Sequence, residues 1–99
     1  MASFEMGVNR VEQYPSDEDL TLIRNWSMKD VTGLMYFVES LWSYADWGWK
    51  QKGRYYSIST GGWSGNESLI EALKENRIFW AVCWYSTKRG GHYKFQLPI

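Results

Sequence analysis

Hydrophobic residues recur along this chain with two different spacings, which predict helices in its first half and strands with one further helix in its second half. The clearest helix covers residues 31–42, where the apolar positions follow i, i+3, i+4 and i+7 spacing: Val31, Leu34, Met35, Val38, Leu41 and Trp42. Ser27 and Asp30 have the spacing of a capping box in front of this helix. A shorter helix is predicted over residues 17–25, with Ser16 as its cap.

Alternation with a period of two predicts three strands in the second half. Residues 54–60 and 92–97 each have one apolar and one polar face, which is typical of half-buried strands. Residues 78–87 are apolar on both faces, which is typical of a central strand covered on both sides. A helix over residues 66–76 lies between the strands, and Asn76 is a suitable left-handed terminator for it.

This order of elements predicts an α+β fold, in which a small antiparallel sheet of three or more strands packs against two or three helices. The strand over residues 78–87 is expected in the middle of the sheet or paired directly with the last strand, through a hairpin turn at residues 88–91. The length of 99 residues predicts a single domain, 1–99. Within it, residues 1–14 have no clear period, and Val8 and Val11 fit either a short edge strand or a loosely ordered arm.

The composition combines a surplus of aromatic residues with balanced charge. Phe, Trp and Tyr make up 18% of the chain, with seven Trp and seven Tyr, which is more than a small core needs. We therefore expect rings at the surface that anchor a partner. The formal net charge is zero and the pI is near 6.6. That balance argues against binding duplex nucleic acid by phosphate neutralisation, but it leaves a local basic patch open.

Several classes of protein do not fit this sequence. No apolar run reaches the roughly 18 residues that span a bilayer, so we expect no membrane partner. Cys83 is the only cysteine, which excludes a disulfide within the chain and fits a reducing, cytoplasmic location. Its position in an apolar segment predicts that the Cys83 thiol is packed in the core and is unreactive. No group of His, Cys and Asp has metal-ligand spacing, and no cofactor is indicated.

Residues 61–67 combine glycines with polar side chains between a predicted strand and a predicted helix. Backbone amides at a helix N-terminus can bind an anion, although the absence of a following lysine excludes a P-loop. The alternative is a tight turn with Trp63 packed across it. In that turn Ser64 and Glu67 form a capping box, with Asn66 as a competing N-cap.

His92 is the only histidine of the chain. It can form an acid–base pair with Glu67 or Ser64 if the fold brings them together. Arg89 precedes it in the predicted hairpin turn, where it belongs to a small basic tip.

Residues 46–53 are predicted to form a loop or an irregular strand. In extended backbone Trp47 and Trp49 point the same way, beside a group of cations formed by Lys50, Lys52 and Arg54. Two indoles in that setting can stack bases or pack a peptide. In the alternative interpretation both rings close the bottom of the core.

A longer motif runs through the second half of the chain. The segments Ser-Ile-Ser-Thr-Gly-Gly-Trp-Ser-Gly-Asn-Glu at 57–67, Phe79-Trp80, Cys83-Trp84 and Arg-Gly-Gly-His-Tyr at 89–93 resemble small proteins encoded by bacteriophages and prophages. The resemblance covers residues 54–97 and implies a bacterial host cytoplasm during infection or lysogeny. No activity is established for that group of proteins, so the resemblance implies no catalytic or binding role.

Three function hypotheses follow from the residues. The first is a small phage accessory protein that binds a protein partner and modulates a host process or a defence system, with contacts at Trp47, Trp49, Trp63 and Arg89. The second is a nucleic-acid-binding protein that uses stacked aromatics and a local basic patch. The third is a small enzyme or nucleotide binder that uses residues 61–67 with His92. A homodimer is also open, because surplus aromatic surface on so small a domain is often covered by a second copy.

Overall fold

The computed structural model describes residues 14–98. Within this range the chain forms five α-helices, one 3-10 helix and four strands. The helices are α1 (Asp17–Arg24), a 3-10 helix (Met28–Asp30), α2 (Val31–Leu41), α3 (Ala45–Gly48), α4 (Ser64–Glu75) and α5 (Arg77–Cys83). The strands are β1 (Trp49–Lys52), β2 (Tyr55–Ser59), β3 (Trp84–Lys88) and β4 (His92–Gln96).

The four strands form one antiparallel sheet in the order β1-β2-β4-β3. Alternation along each strand gives the sheet two different faces. Along β2, Tyr56 and Ile58 are buried, whereas Tyr55 and Ser57 are exposed. The predicted α+β fold with an antiparallel sheet is therefore confirmed, with α3 and α5 as additional short helices.

The core lies between the inner face of the sheet and the helices. Buried side chains of α2 and α4 meet those of β2 and β4 there; they are Leu34, Met35, Val38, Leu69, Ile70, Leu73, Tyr56, Ile58 and Phe95. Trp42, just after α2, is fully buried, and its indole N–H donates to the Ser59 carbonyl over 3.2 Å. Burial of each large apolar side chain contributes roughly 1.5–3 kcal/mol, so this interface holds the helices on one face of the sheet.

The prediction of one central strand over residues 78–87 is wrong. The segment begins as α5 and continues as β3, which lies at the edge of the sheet and pairs only with β4. Phe79 and Cys83 are buried, four residues apart, while Ile78 and Val82 are 65% and 53% exposed. A helix with one buried and one exposed apolar face therefore produced the uniformly apolar pattern. The predicted pairing with the last strand is confirmed.

Asn76 ends α4 and starts α5, which explains where the helices divide. Its φ of −81° is not the left-handed conformation expected from the sequence. Its side chain accepts from the Phe79 N–H at 3.2 Å and donates to the Ile23 carbonyl at 2.9 Å. The residue therefore caps α5 and joins it to the end of α1.

Residues 46–53 also differ from the prediction of a loop or an irregular strand, because α3 occupies the first part and β1 the second. Helical backbone before Trp49 turns the two indoles apart: Trp47 is 58% exposed, whereas Trp49 is 8% exposed. The expectation that both rings point the same way is wrong. Gly48 allows the tight junction, since a Cβ there would lie 2.6 Å from the Ser59 carbonyl oxygen.

The predicted Ser16 cap of the first helix is confirmed, whereas the predicted Ser27–Asp30 capping box is not formed. Ser16 and Asp19 form the complete capping box, at the start of α1. Ser27 instead caps the 3-10 helix, and Asp30 caps α2 by accepting from the Gly33 N–H at 3.1 Å. The predicted arm or edge strand at Val8 and Val11 lies outside the described residues. Among residues 14–98, no helix is both long and apolar enough to cross a membrane.

Candidate binding surfaces

The outer face of the sheet forms an open groove with a volume of about 440 Å³. Its lining includes polar and aromatic side chains from all four strands, among them Lys50, Lys52, Tyr55, Ser57, Tyr85, Lys94 and Gln96. The strand register sets Lys50 opposite Ser57 and Ser57 opposite Lys94. Opposite residues in an antiparallel pair project to the same side, so the two lysines flank Ser57. We call this surface the sheet face.

Charge is strongly segregated between the two layers of the molecule. Residues 49–60 and 84–98 contain six of the eleven Lys and Arg residues and none of the eleven Asp and Glu residues. The six cations are Lys50, Lys52, Arg54, Lys88, Arg89 and Lys94. Among residues 14–98, the carboxylates lie on the helices, including α1 and α4. A net charge of zero therefore conceals a basic sheet side and an acidic helix side.

Two tyrosines add aromatic surface to the sheet face. Tyr55 is 51% exposed and Tyr85 is 65% exposed. The Arg54 guanidinium lies 5.1 Å from the centre of the Tyr55 ring and donates to the Leu97 carbonyl at 3.0 Å. Tyr85 is the extra residue at an irregularity between β3 and β4, where Trp84 and Ser86 have partners in the register and Tyr85 does not. Such a bulge re-aims a side chain toward solvent.

A second surface lies where β2 leads into α4. Trp63, Tyr44, Trp47 and Gly61 line a small cleft with a volume of about 310 Å³. The rings of Tyr44 and Trp63 are 4.8 Å apart between centroids, with 32° between their planes. We call this the aromatic cleft. The sequence had singled out Trp47 and Trp63 separately, and Tyr44 was missed.

The predicted capping box at the start of α4 is not formed. Trp63 is the N-cap residue and makes no side-chain cap hydrogen bond, and Ser64 is exposed. Asn66 is fully buried and is not an N-cap: its Oδ1 accepts from the Ser43 N–H at 2.7 Å. Its Nδ2 donates to the carbonyls of Ser43 at 3.0 Å and Thr60 at 3.2 Å. Asn66 therefore joins the ends of α2 and β2 beneath the aromatic cleft.

Glu67 lies one turn into α4, and its Oε2 accepts from the Thr60 hydroxyl at 3.4 Å. His92 contacts a different residue, since its Nδ1 lies 2.7 Å from the Ser59 hydroxyl oxygen. The two strands continue to touch beyond this pair, where the Thr60 N–H donates to the Gly91 carbonyl at 3.0 Å. A Cβ on Gly91 would lie 2.2 Å from the Thr60 Oγ1, and its φ is +81°. Glycine is therefore required at this contact.

The remaining sequence candidates separate into core and surface. Trp49 is core, packed against Trp42 and Tyr56, so its alternative interpretation as a core residue fits the structure. Arg89 is exposed in the hairpin turn. Cys83 is buried, and burial raises the pKa of its thiol to about 11, which keeps it protonated and unreactive at neutral pH.

Within the described chain, His, Cys, Asp and Glu form no cluster of three or more that is able to hold a metal ion. Comparisons with family models, curated proteins and solved structures gave no match. The sheet face and the aromatic cleft are the candidate binding surfaces of the described chain.

Proposed function

We propose that the protein binds single-stranded nucleic acid on the sheet face. The observation that carries this proposal is an open, antiparallel sheet whose outer side presents lysines and tyrosines and whose strands contain no carboxylate. Lys50, Lys94 and Lys52 come from β1 and β4, with Tyr55 and Tyr85 exposed beside them. Positive grooves with aromatic platforms are the usual means of holding single strands without strict sequence preference.

The lysines account for affinity and the tyrosines for the preference for unpaired bases. Each neutralised phosphate releases counterions, so three contacts give a slope of log affinity against log salt of about −2 for a single strand. An exposed tyrosine ring can stack on a base only where the base is not already stacked inside a duplex. Single strands are therefore expected to bind more tightly than duplexes of the same length.

Fluorescence anisotropy with a labelled oligodeoxythymidine at low salt tests the proposal. We expect saturable binding that weakens with salt along the slope given above and that is weaker for a duplex. Lys94→Ala is expected to reduce affinity severalfold and to make the slope less steep by about 0.7, because one phosphate contact is lost.

Lys29→Ala is the matched control, since Lys29 is an exposed lysine in the 3-10 helix on the other layer. It should leave affinity and slope unchanged. Absence of binding at low salt, or an equal loss in both variants, contradicts the proposal. Tighter binding of an acidic peptide than of the oligonucleotide would assign the sheet face to a protein instead.

A second candidate function is binding of a protein partner, the first hypothesis from the sequence and one that suits a phage accessory role in a bacterial host. The observation in its favour is the outer side of α5, where Ile78 and Val82 are 65% and 53% exposed at i, i+4 spacing. Exposed apolar side chains that adjoin one another often mark a protein contact.

Co-purification of the tagged protein with a stoichiometric host or phage partner tests this second candidate. Ile78→Ser combined with Val82→Ser is expected to abolish the association. Leu22→Ser is the control, because Leu22 is 52% exposed on α1. A partner retained equally by both variants would exclude α5 as the contact.

A further inference from the structure

We propose that the aromatic cleft is a binding site for an organic cation, of the quaternary ammonium, methylated ammonium or guanidinium class. This site is independent of the sheet face. Three electron-rich rings, from Tyr44, Trp47 and Trp63, line a cleft of about 310 Å³. The face of an aromatic ring carries negative potential, so a cleft lined by such rings attracts a cation.

The floor of the cleft is kept open by a glycine. A Cβ at Gly61 would lie 3.0 Å from the Trp63 ring and 3.1 Å from the Trp47 ring, so any larger residue would push into both indoles. The Trp47 side chain nevertheless leaves 58% of its surface exposed. Gly61 thus allows the Trp47 and Trp63 indoles to approach the backbone at the same place, while the Trp47 side chain remains accessible to a ligand.

The cleft is also preorganised at a cost in backbone energy. Tyr44 has a φ of 57°, the only positive φ of a described residue other than glycine. A side chain in this left-handed region costs about 1–2 kcal/mol. Buried Asn66 makes two hydrogen bonds with Ser43, directly before Tyr44, and one with Thr60, directly before Gly61, and these bonds fix the backbone at both places. Strain of this kind is maintained where the surrounding structure determines the conformation, and it is frequent at binding sites.

The charges around the cleft select a cation over a phosphate-bearing base. Glu67 places its carboxylate at Thr60, the residue before Gly61, where it accepts from the Thr60 hydroxyl. A groove along α4 is lined by Glu67, Glu71 and Glu75, of which Glu71 is paired with Lys74 and Glu75 with Arg24. The lining of the cleft itself contains no charged side chain, and in particular no Lys or Arg that would repel a cation. A phosphate would be repelled here, whereas a cation would be attracted by the faces of the rings and by the Glu67 carboxylate.

The cations of the protein itself leave these rings accessible. Over residues 14–98, cation–ring contacts are made by Arg54 on Tyr55 and by Lys74 on Trp80 and Tyr93. None of them involves the rings of the cleft. The cleft therefore suits the cation of another molecule, from a small metabolite or from a modified lysine or arginine of a protein.

Choline and its uncharged carbon isostere, neohexyl alcohol, provide the direct test. Both are titrated into the protein while the indole N–H signals of the tryptophans are followed by NMR. Choline is expected to bind about fivefold or more tightly than the isostere, because only the charge differs. Trimethyllysine amide and arginine amide, tested in the same way, distinguish the two protein-derived sources from the small molecule.

Trp47→Leu should abolish choline binding, since the side chain stays apolar but loses its ring. Tyr36→Leu is the control, because Tyr36 is 67% exposed on α2 and outside the cleft. Glu67→Gln should weaken choline severalfold without changing the isostere, a difference that loss of structure alone would not produce. The proposal would be overturned if choline and the isostere bound equally, or if Trp47→Leu bound choline as tightly as the wild type. It would also be overturned if adenosine, titrated in the same way, bound more tightly than choline.

Discussion

The sheet face and the aromatic cleft both present aromatic rings to solvent, yet only the sheet face places cations among them. On the sheet face Tyr55 and Tyr85 lie among lysines, and the strands supply no carboxylate. The lining of the cleft contains Trp47 and Trp63 and no charged side chain, and the Glu67 carboxylate accepts from Thr60 next to Gly61. The same ring chemistry is therefore expected to serve an anionic polymer on one surface and a cation on the other.

The two surfaces also differ in how the chain builds them. The sheet face results from local alternation, in which every second residue of a strand faces outward. The cleft results from convergence of α3, the end of α2 and the start of α4, and Asn66 holds that arrangement by bonds to Ser43 and Thr60. The solvent-facing side of a strand tolerates substitution, whereas a buried polar side chain that makes several hydrogen bonds does not.

Asn66→Ala is the change with the largest expected effect on this comparison. It removes three buried hydrogen bonds, so the free energy of unfolding should fall by about 2–4 kcal/mol. Choline binding should be lost, while oligonucleotide binding by the folded fraction persists. Chemical denaturation and the two titrations measure these effects.

Asn25→Ala is the control for this variant, since Asn25 is exposed at the end of α1. Its stability should stay within about 1 kcal/mol of the wild type. Equal destabilisation by both substitutions would show that Asn66 has no special role in the bridge.

Charge reversal on the sheet face should have the next largest effect. Lys50→Glu together with Lys94→Glu places two carboxylates on either side of Ser57. Oligonucleotide affinity at low salt should fall by about 10- to 100-fold, whereas choline binding should stay the same. Anisotropy and NMR titrations of the same sample measure both. A loss of choline binding as well would mean that the two surfaces are not independent.

Alkaline pH should weaken the core that both surfaces share. The pKa of Cys83 rises from 9.0 to about 11 on folding because the thiol is buried. The unfolded chain therefore loses this proton at lower pH than the folded chain, so this stabilisation is complete below pH 9 and is lost as the pH rises toward 11. Between these values stability should fall by roughly 1–3 kcal/mol.

Cys83→Ala isolates the contribution of the thiol. Its stability at neutral pH is lower because a cavity is left, but its decline between neutral and alkaline pH should be shallower than that of the wild type. Denaturant unfolding at each pH measures the difference. Parallel pH profiles for the two proteins would contradict the assignment to Cys83.

Removal of single tyrosine rings should have the smallest effect. Tyr85→Ala is expected to reduce oligonucleotide affinity about fivefold, which corresponds to the lower end of stacking energies for an exposed ring. Tyr55→Ala should cost less, because Arg54 already covers one face of that ring. Tyr36→Ala on α2 is the control and should have no effect. A greater loss for Tyr36 than for Tyr85 would place the nucleic acid on the helix side.

Elements with one consistent period could be predicted from the sequence, and elements defined by distant contacts could not. The long apolar stripe of α2 and the alternation of β2 and β4 correspond closely to the structure. The prediction of a single strand over residues 78–87 was wrong because a continuous apolar run has no period that distinguishes a short helix from a buried strand. The two helices divide at Asn76. Its capping bond with Phe79 is local in sequence, whereas its bond to the Ile23 carbonyl joins distant parts of the chain and cannot be read from a local pattern.

The candidate residues divide in the same way. Lys50 and Lys94 were recognised as cations, but only the strand register sets both beside Ser57. The net charge of zero argued against binding of duplex nucleic acid, but it sums over two layers of opposite sign and so hides the basic sheet side. Tyr44 was missed because its role depends on a left-handed φ and on contact with the distant Trp63 ring, and neither is visible in a local pattern.

The most direct test of the proposed function is a titration of isotopically labelled protein with a short oligodeoxythymidine, followed by amide chemical shifts. We expect the perturbed amides to lie on β1, β2 and β4 around Lys50, Ser57 and Lys94, with Trp47 and Trp63 unaffected. Choline should then shift the cleft signals in the same sample. Oligonucleotide-induced shifts confined to the cleft or to α5, or no shifts at low salt, would contradict the assignment of the sheet face.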